Sequence, residues 1–178
     1  MDRSGPVYHF TALTPVLAGA EAELRALVQS LPTGSASPFA SIPGTHFGRW
    51  VVLEQLGSSR PGERAEPLRP ARLLFSVIID VDPGAYLRSM CVGIPKVVDS
   101  VWRHCSGYPG IDDHDAFSGY VRRYQLDHTY CLATSPEGTV DDVRRSLDRR
   151  RRLIDFAVRS PGGRGAALRR SFEETFRR

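Results

Sequence analysis

The segment Arg72-Leu73-Leu74-Phe75-Ser76-Val77-Ile78-Ile79-Asp80 decides the fold. It is a run of apolar, β-branched and aromatic residues bounded by polar ones, too short for a buried helix and suited to a strand inside a sheet. Working back, His46 to Leu56 reads as a second strand, and residues 57–70, rich in Gly, Ser, Pro and charge, as a mobile polar loop between the two. The hairpin they make is expected at the centre of the sheet. Both strands are apolar on both faces: Phe47, Val51 and Leu53 alternate with Trp50 and Val52, and Leu73, Phe75, Val77 and Ile79 with Leu74 and Ile78. A face turned to water is polar at alternate positions, so the second face requires a cover. Additional helices, a second subunit or a cofactor would each serve.

Outward from this hairpin the pattern continues in both directions. Val7 to Val16 alternates as a strand. Ala20 to Leu31 places Leu24, Leu27, Val28 and Leu31 on one helical face, and Pro32 stops the helix. Residues 33–44 read as a loop. Asp82-Pro83 starts a helix that Gly93 and Pro95 kink or split, and Gly107 with Pro109-Gly110 ends it. A short helix over Asp113–Tyr124 and a strand over Asp127–Thr134 follow. Thr139 and Asp142 form a capping-box pattern at the head of a long helix to about Val158. Leu168, Phe172 and Phe176 mark a terminal amphipathic helix over about 164–177. The order strand, helix, strand, strand, helix, strand predicts an α+β fold, specifically a ferredoxin-like βαββαβ sheet with added C-terminal helices, read as one domain with its core over about 7–158.

Composition agrees with a globular chain: 178 residues, 41% hydrophobic and 25% charged, net charge +4. No apolar run reaches the roughly 18–20 residues that span a bilayer, and no signal-type segment opens the chain, so a cytoplasmic protein without a membrane partner is expected. Cys91, Cys105 and Cys131 have no CxxC spacing, which argues against a disulfide framework or a zinc site, and Cys91 and Cys131 read as core hydrophobes. The arginine run at 144–152 is interspersed with aspartates at helical spacing and lacks interleaved aromatics. It therefore reads as a solvated, ion-paired face, and no nucleic-acid partner is expected.

Three clusters carry candidate chemistry. In Trp102-Arg103-His104-Cys105-Ser106-Gly107-Tyr108-Pro109-Gly110, His104 is a candidate haem or metal ligand, general base, or cation held by a helix C-terminus, and Tyr108 a candidate acid–base group. Cys105 is a poor nucleophile there, because a helix C-terminus disfavours the thiolate. In Gly44-Thr45-His46-Phe47-Gly48-Arg49-Trp50, alternation puts His46 and Trp50 on one face and Arg49 on the other. Arg49 in an apolar strand calls for an anionic partner: a substrate carboxylate, a cofactor propionate or Asp80 across the hairpin. His128 and Tyr130, with Asp127 beside them, form the third cluster, and His9 sits on the first strand. GxGxxG, P-loop, HExxH, GxSxG and EF-hand patterns are absent, which disfavours nucleotide binding and the common hydrolases.

The segments Thr45–Val52, Leu73–Ser76, Val101–Gly110 and Arg152–Phe156 resemble a poorly characterised bacterial family whose pattern runs THFARW, LLFxSNFDG, WxHCxGYPG and RLIDF. The chain departs from it at Val77-Ile78-Ile79-Asp80, where the family has an Asn-Phe-Asp-Gly turn. More distantly, the plan resembles the dimeric α+β-barrel superfamily, which includes chlorite-dismutase-like and dye-decolourising haem proteins, cofactor-free monooxygenases and polyketide cyclases. The resemblance implies a homodimer acting on a small molecule. The leading expectation is an oxidoreductase that uses oxygen or peroxide on an apolar or aromatic substrate. Haem is its candidate cofactor, with His104 or His46 as axial ligand and Arg49 at a propionate or the oxidant. Two alternatives stand beside it: a cofactor-free cyclase or isomerase using His46, His104 or Tyr108 as acid and base, and a non-catalytic assembly module.

Overall fold

The computed structural model describes residues 3–4, 7–57, 66–127, 138–160, 162–163 and 165–176. The chain is α+β and forms two compact units, residues 1–137 and 138–178.

The first unit contains the sheet. Its strands are β1 (Arg3–Ser4), β2 (Val7–Pro15), β3 (Thr45–Leu56) and β4 (Glu66–Ile79), antiparallel throughout and in the order β1-β2-β4-β3. The third strand therefore lies between the first long strand and the second. The hairpin is not central as a whole: β4 occupies the middle, and β3 is an edge among the described residues. β4 also starts six residues earlier than its apolar run, because Glu66 and Pro67 pair with Leu56 and Gln55 after a register shift in β3. That pairing recruits residues whose composition reads as loop.

Period-two burial on β4 defines the two faces. Ala71, Leu73, Phe75, Val77 and Ile79 are buried, and the residues between them are half-buried. Opposed partners on antiparallel strands share a face, so Ala12, Phe75 and Trp50 form one row of the core and Phe10 and Val77 another. The helices α1 (Glu21–Ser30), α2 (Pro83–Gly93), α3 (Pro95–Trp102) and α4 (His114–Arg123) supply Leu24, Tyr86, Leu87, Met90, Val98, Val101, Trp102, Phe117 and Val121 to the same core. Trp102 lies at its centre, edge-on to Trp50, Phe75 and Phe117 at 5.2–5.8 Å between ring centroids.

Local chemistry sets the helix boundaries. The Asp82 carboxylate accepts from the Ala85 N–H and Pro83 opens α2, while Ile94 leaves helical geometry so that Pro95 can begin α3. Asp113 caps α4 through the N–H groups of Asp115 and Ala116. The 33–44 loop contains two 3-10 turns, Gly34–Ala36 and Pro38–Ser41, and the second delivers Phe39 onto Trp50 at 4.2 Å.

On the other face of the sheet, the rows are Phe47, Ile78 and His9, then Arg49, Ser76 and Thr11, then Val51, Leu74 and Leu13. His9 and Thr11 are buried, but Phe47 is 47% exposed and Val51 36%, so the uncovered apolar surface lies on β3.

The expected last strand falls largely on residues 128–137, so His128, Tyr130 and Cys131 lie outside the described residues. Residues 124–126 pair with β2: the Leu13 N–H donates to the Tyr124 carbonyl and the Leu126 N–H to the Thr11 carbonyl, an antiparallel pairing along the outer edge of β2.

The second unit holds α5 (Val140–Arg159) and α6 (Gly165–Phe176). Thr139 and Asp142 form the capping box expected of them. Phe156 of α5 meets Phe172 and Phe176 of α6 at 5.4 and 6.3 Å. The long helix expected as part of a single core thus groups with the terminal helix instead.

Candidate functional site

His46 occupies a bulge. Thr45 pairs with Ile79 and Phe47 with the adjacent Ile78, so His46 is one residue in excess of the β4 register. The bulge breaks the simple alternation that would put His46 on the Trp50 face. It directs the imidazole to the strand end, where Nε2 lies 3.5 Å from Oδ2 of Asp80. Asp80 is almost wholly buried at its side chain, whereas His46 keeps partial solvent access. The expected Arg49–Asp80 pairing is replaced by His46–Asp80, because Arg49 is opposite Ser76, four residues back along β4.

The turn before β3 is shaped around this carboxylate. Gly44 has φ +76°, its carbonyl accepts from the Asp80 N–H at 3.0 Å, and a Cβ at position 44 would lie 2.5 Å from Asp80 Oδ1. Only glycine satisfies both the backbone angle and the approach. Thr45 anchors the far side: its hydroxyl donates to the Ile42 carbonyl at 2.8 Å and meets the Tyr86 phenol at 2.9 Å. Burial pushes that phenol up to about 12, so Tyr86 is a neutral strut at physiological pH.

Facing the Asp80 carboxylate favours a proton on Nε2 and leaves Nδ1 as the second ring nitrogen. Next along the strand, Phe47 lies on the exposed sheet face and the Arg49 guanidinium sits over its ring at 5.9 Å from the centroid. An imidazole, an aromatic ring and a guanidinium are thus brought to one edge of the sheet. Asp80 and Gly44 are the members that sequence reasoning missed as a pair. The available signals were a glycine just before a strand and an acid ending the hairpin partner.

His104 is at the opposite end of the sheet. Its carbonyl accepts from the Leu17 N–H, beyond β2, whereas His46 belongs to the end where Tyr8 and Ile79 pair. The length of β2 separates the two histidines, roughly 25 Å at about 3.3 Å per residue. His104 Nδ1–H donates to the Ser100 carbonyl at 2.9 Å, and Nε2 lies 3.4 Å from Glu23 Oε1 in a shallow cleft of about 440 Å³.

The rest of that block is a clasp. The Ser106 N–H donates to the Pro15 carbonyl, the Thr14 hydroxyl donates to Cys105 Sγ at 3.4 Å, and the Tyr120 phenol donates to the Ser106 carbonyl at 2.9 Å. Burial raises the Cys105 thiol to about 11, with the Thr14 hydrogen bond opposing, which removes it as a nucleophile at neutral pH. Tyr108 donates to Asp99 Oδ1 at 3.2 Å, and Asp99 also pairs with Arg103. Burial and the Asp99 carboxylate push the Tyr108 phenol far up, so it is no base. Of the four sequence-derived candidates, His46 and Arg49 share one strand and one edge; the His104 and Tyr108 side chains bond back to α3, at Ser100 and Asp99, while Cys105 and Ser106 make the bonds to β2.

The haem reading requires a histidine whose free nitrogen points into an apolar slot. Both candidate histidines instead turn Nε2 to a carboxylate, and the cleft at His104 is lined by Glu23, Ser30, Ser100 and Arg103. With Nδ1 bonded to the Ser100 carbonyl and Nε2 facing Glu23, His104 does not fit an axial ligand of haem. No group of three or more His, Cys, Asp and Glu suited to a metal ion occurs among the described residues.

No protein-family model, curated protein or solved structure matches the chain.

Proposed function

We propose that the first unit is a cofactor-independent acid–base catalyst for a small aromatic or apolar acid, a cyclase or isomerase in reaction type, with His46 as the proton-transfer group. The observation that carries this reading is the His46–Asp80 pair, built around an obligatory glycine at the margin of an exposed apolar face. Asp80 fixes the ring and stabilises the imidazolium formed when Nδ1 takes a proton from substrate carbon or hydroxyl. Phe47 receives the apolar body of the substrate, and Arg49 its carboxylate or developing enolate. The haem-dependent version of the oxidative reading would need a histidine nitrogen free to ligate, and at His104 one ring nitrogen is bonded to the Ser100 carbonyl while the other faces Glu23.

Two structural proposals accompany it. The order β2-β4-β3, with residues 124–126 running along β2, supports a ferredoxin-like βαββαβ sheet with its last strand on that edge. The uncovered Phe47 and Val51 support a homodimer in which a second copy closes the exposed face and encloses the substrate.

A histidine-resolved NMR titration with aromatic carboxylates tests the site. The reading requires His46 resonances to move on binding, and R49A to weaken binding about 10–100-fold, the loss of a charge-assisted contact of about 1.5–3 kcal/mol. Movement of His104 alone would place the site elsewhere and overturn the proposal.

A further inference from the structure

Charge divides unevenly between the two units. Residues 138–178 hold twelve of the twenty-four basic residues and six of the twenty acidic ones, a net +6 against −2 for residues 1–137. On α5 the charge and the apolar residues are spatially sorted. Val143, Leu147, Ile154 and Val158 fall within about 60° of one another on a helical projection, and they are 41%, 57%, 50% and 72% exposed. This stripe is not the seam with α6: Phe156, which meets Phe172 and Phe176, projects from the opposite side of the helix.

The arginines also fall into two groups. Arg145 pairs with Asp142 and Arg152 with Asp148, away from the stripe, as a solvated face would. Arg150 borders the stripe on one side and Arg151 on the other, and no ion pair joins either to an acidic group among the described residues. A second copy of the helix packed antiparallel on this stripe would bring these arginines together at its midpoint, a like-charge contact. Nucleic acid would neutralise the arginines but leave the apolar stripe wet. A bilayer with acidic headgroups satisfies both, with phosphate and carboxylate at the flanks and acyl chain beneath the stripe.

We propose that α5 is a peripheral membrane-docking helix that lays Val143, Leu147, Ile154 and Val158 into the interface of an anionic lipid surface, with Arg150 and Arg151 on the headgroups. No helix is long and apolar enough to cross a membrane among the described residues, and this mode needs none.

The test is sedimentation of the full chain with vesicles of phosphatidylcholine alone or containing 30 mole per cent phosphatidylserine, about that share being enough to give a strongly negative surface. The proposal predicts binding to the anionic vesicles only, weakened at least tenfold by R150E/R151E and at least tenfold by L147E/I154E, both variants retaining the parent circular dichroism. Absence of vesicle binding would overturn it. So would full binding by L147E/I154E, which would reduce the contact to charge alone. Binding of a DNA duplex in place of vesicles, or loss of a dimer in L147E/I154E without any vesicle binding by the parent, would assign the helix to nucleic acid or to self-association and refute the lipid assignment.

Discussion

Raising the pH from 8 to 10 should unmask the buried Cys105 thiol as a loss of stability. The thiol titrates at about 11 in the folded chain, against an ordinary 9.0, chiefly because burial disfavours the thiolate. The folded state therefore holds its proton where the unfolded state has released it, and stability falls as pH rises past 9, with the loss complete above 11. At pH 10 the unfolded thiol is mostly ionised and the folded one mostly protonated, which corresponds to a loss on the order of 1 kcal/mol relative to pH 8. Tyr86, pushed up to about 12, adds a smaller loss of the same sign. The assay is urea unfolding at the two pH values for the parent and for C105A. The variant is less stable at both, since it leaves a cavity and strands the Thr14 hydroxyl, but its pH-dependent loss should be smaller by roughly 1 kcal/mol. Equal losses in the two proteins, together with rapid reaction of the native thiol with Ellman's reagent at pH 8, would refute the account of the clasp as a sealed element.

Three further outcomes follow from the geometry. G44A should cost about 1–2 kcal/mol in strain at φ +76° and should move Asp80 away from His46, seen as lower thermal stability and a displaced His46 resonance. G48A would put a Cβ 2.7 Å from the Phe39 ring, and the overpacking should cost about 1–3 kcal/mol, measured by urea unfolding with near-ultraviolet circular dichroism reporting the Phe39–Trp50 stack. H104A should destabilise the fold by about 1–2 kcal/mol through the lost Ser100 contact, while leaving ligand binding at His46 within twofold. A large loss of ligand binding with an unchanged fold would move the site to the α3 end.

Strands β2, β3 and β4, the split α2–α3 pair and the N-caps at Asp82 and Thr139 are legible because each depends on chemistry within a few residues: alternation over Leu73–Ile79, Asp82 before Pro83, Thr139 before Asp142. What depends on partners distant in sequence is not. β3 lies at an edge because β2 pairs on the far side of β4, and no local pattern encodes that choice. The bulge at His46 moves one imidazole from a face to a strand end, beyond the reach of a period-two reading. His104 and Tyr108 stand out as scarce polar groups in a Gly-Pro turn, yet their side chains bond Ser100 and Asp99 of the helix they follow, the local partners that a helix C-terminus requires. Arg49 is legible as a cation on an apolar strand, but its neighbours depend on the register with Ser76 and on the ring of Phe47, which no local pattern encodes.

The most direct test of the acid–base account is the rate at which the protein, freed of metal, exchanges the α-protons of aromatic keto acids with deuterated solvent, followed by proton NMR. The account predicts exchange above the buffer rate for at least one such acid, and a loss of about 10²–10⁴-fold in H46A with ligand binding and fold retained. Exchange that is absent across the series in the parent protein, or equal in H46A and the parent, would contradict it.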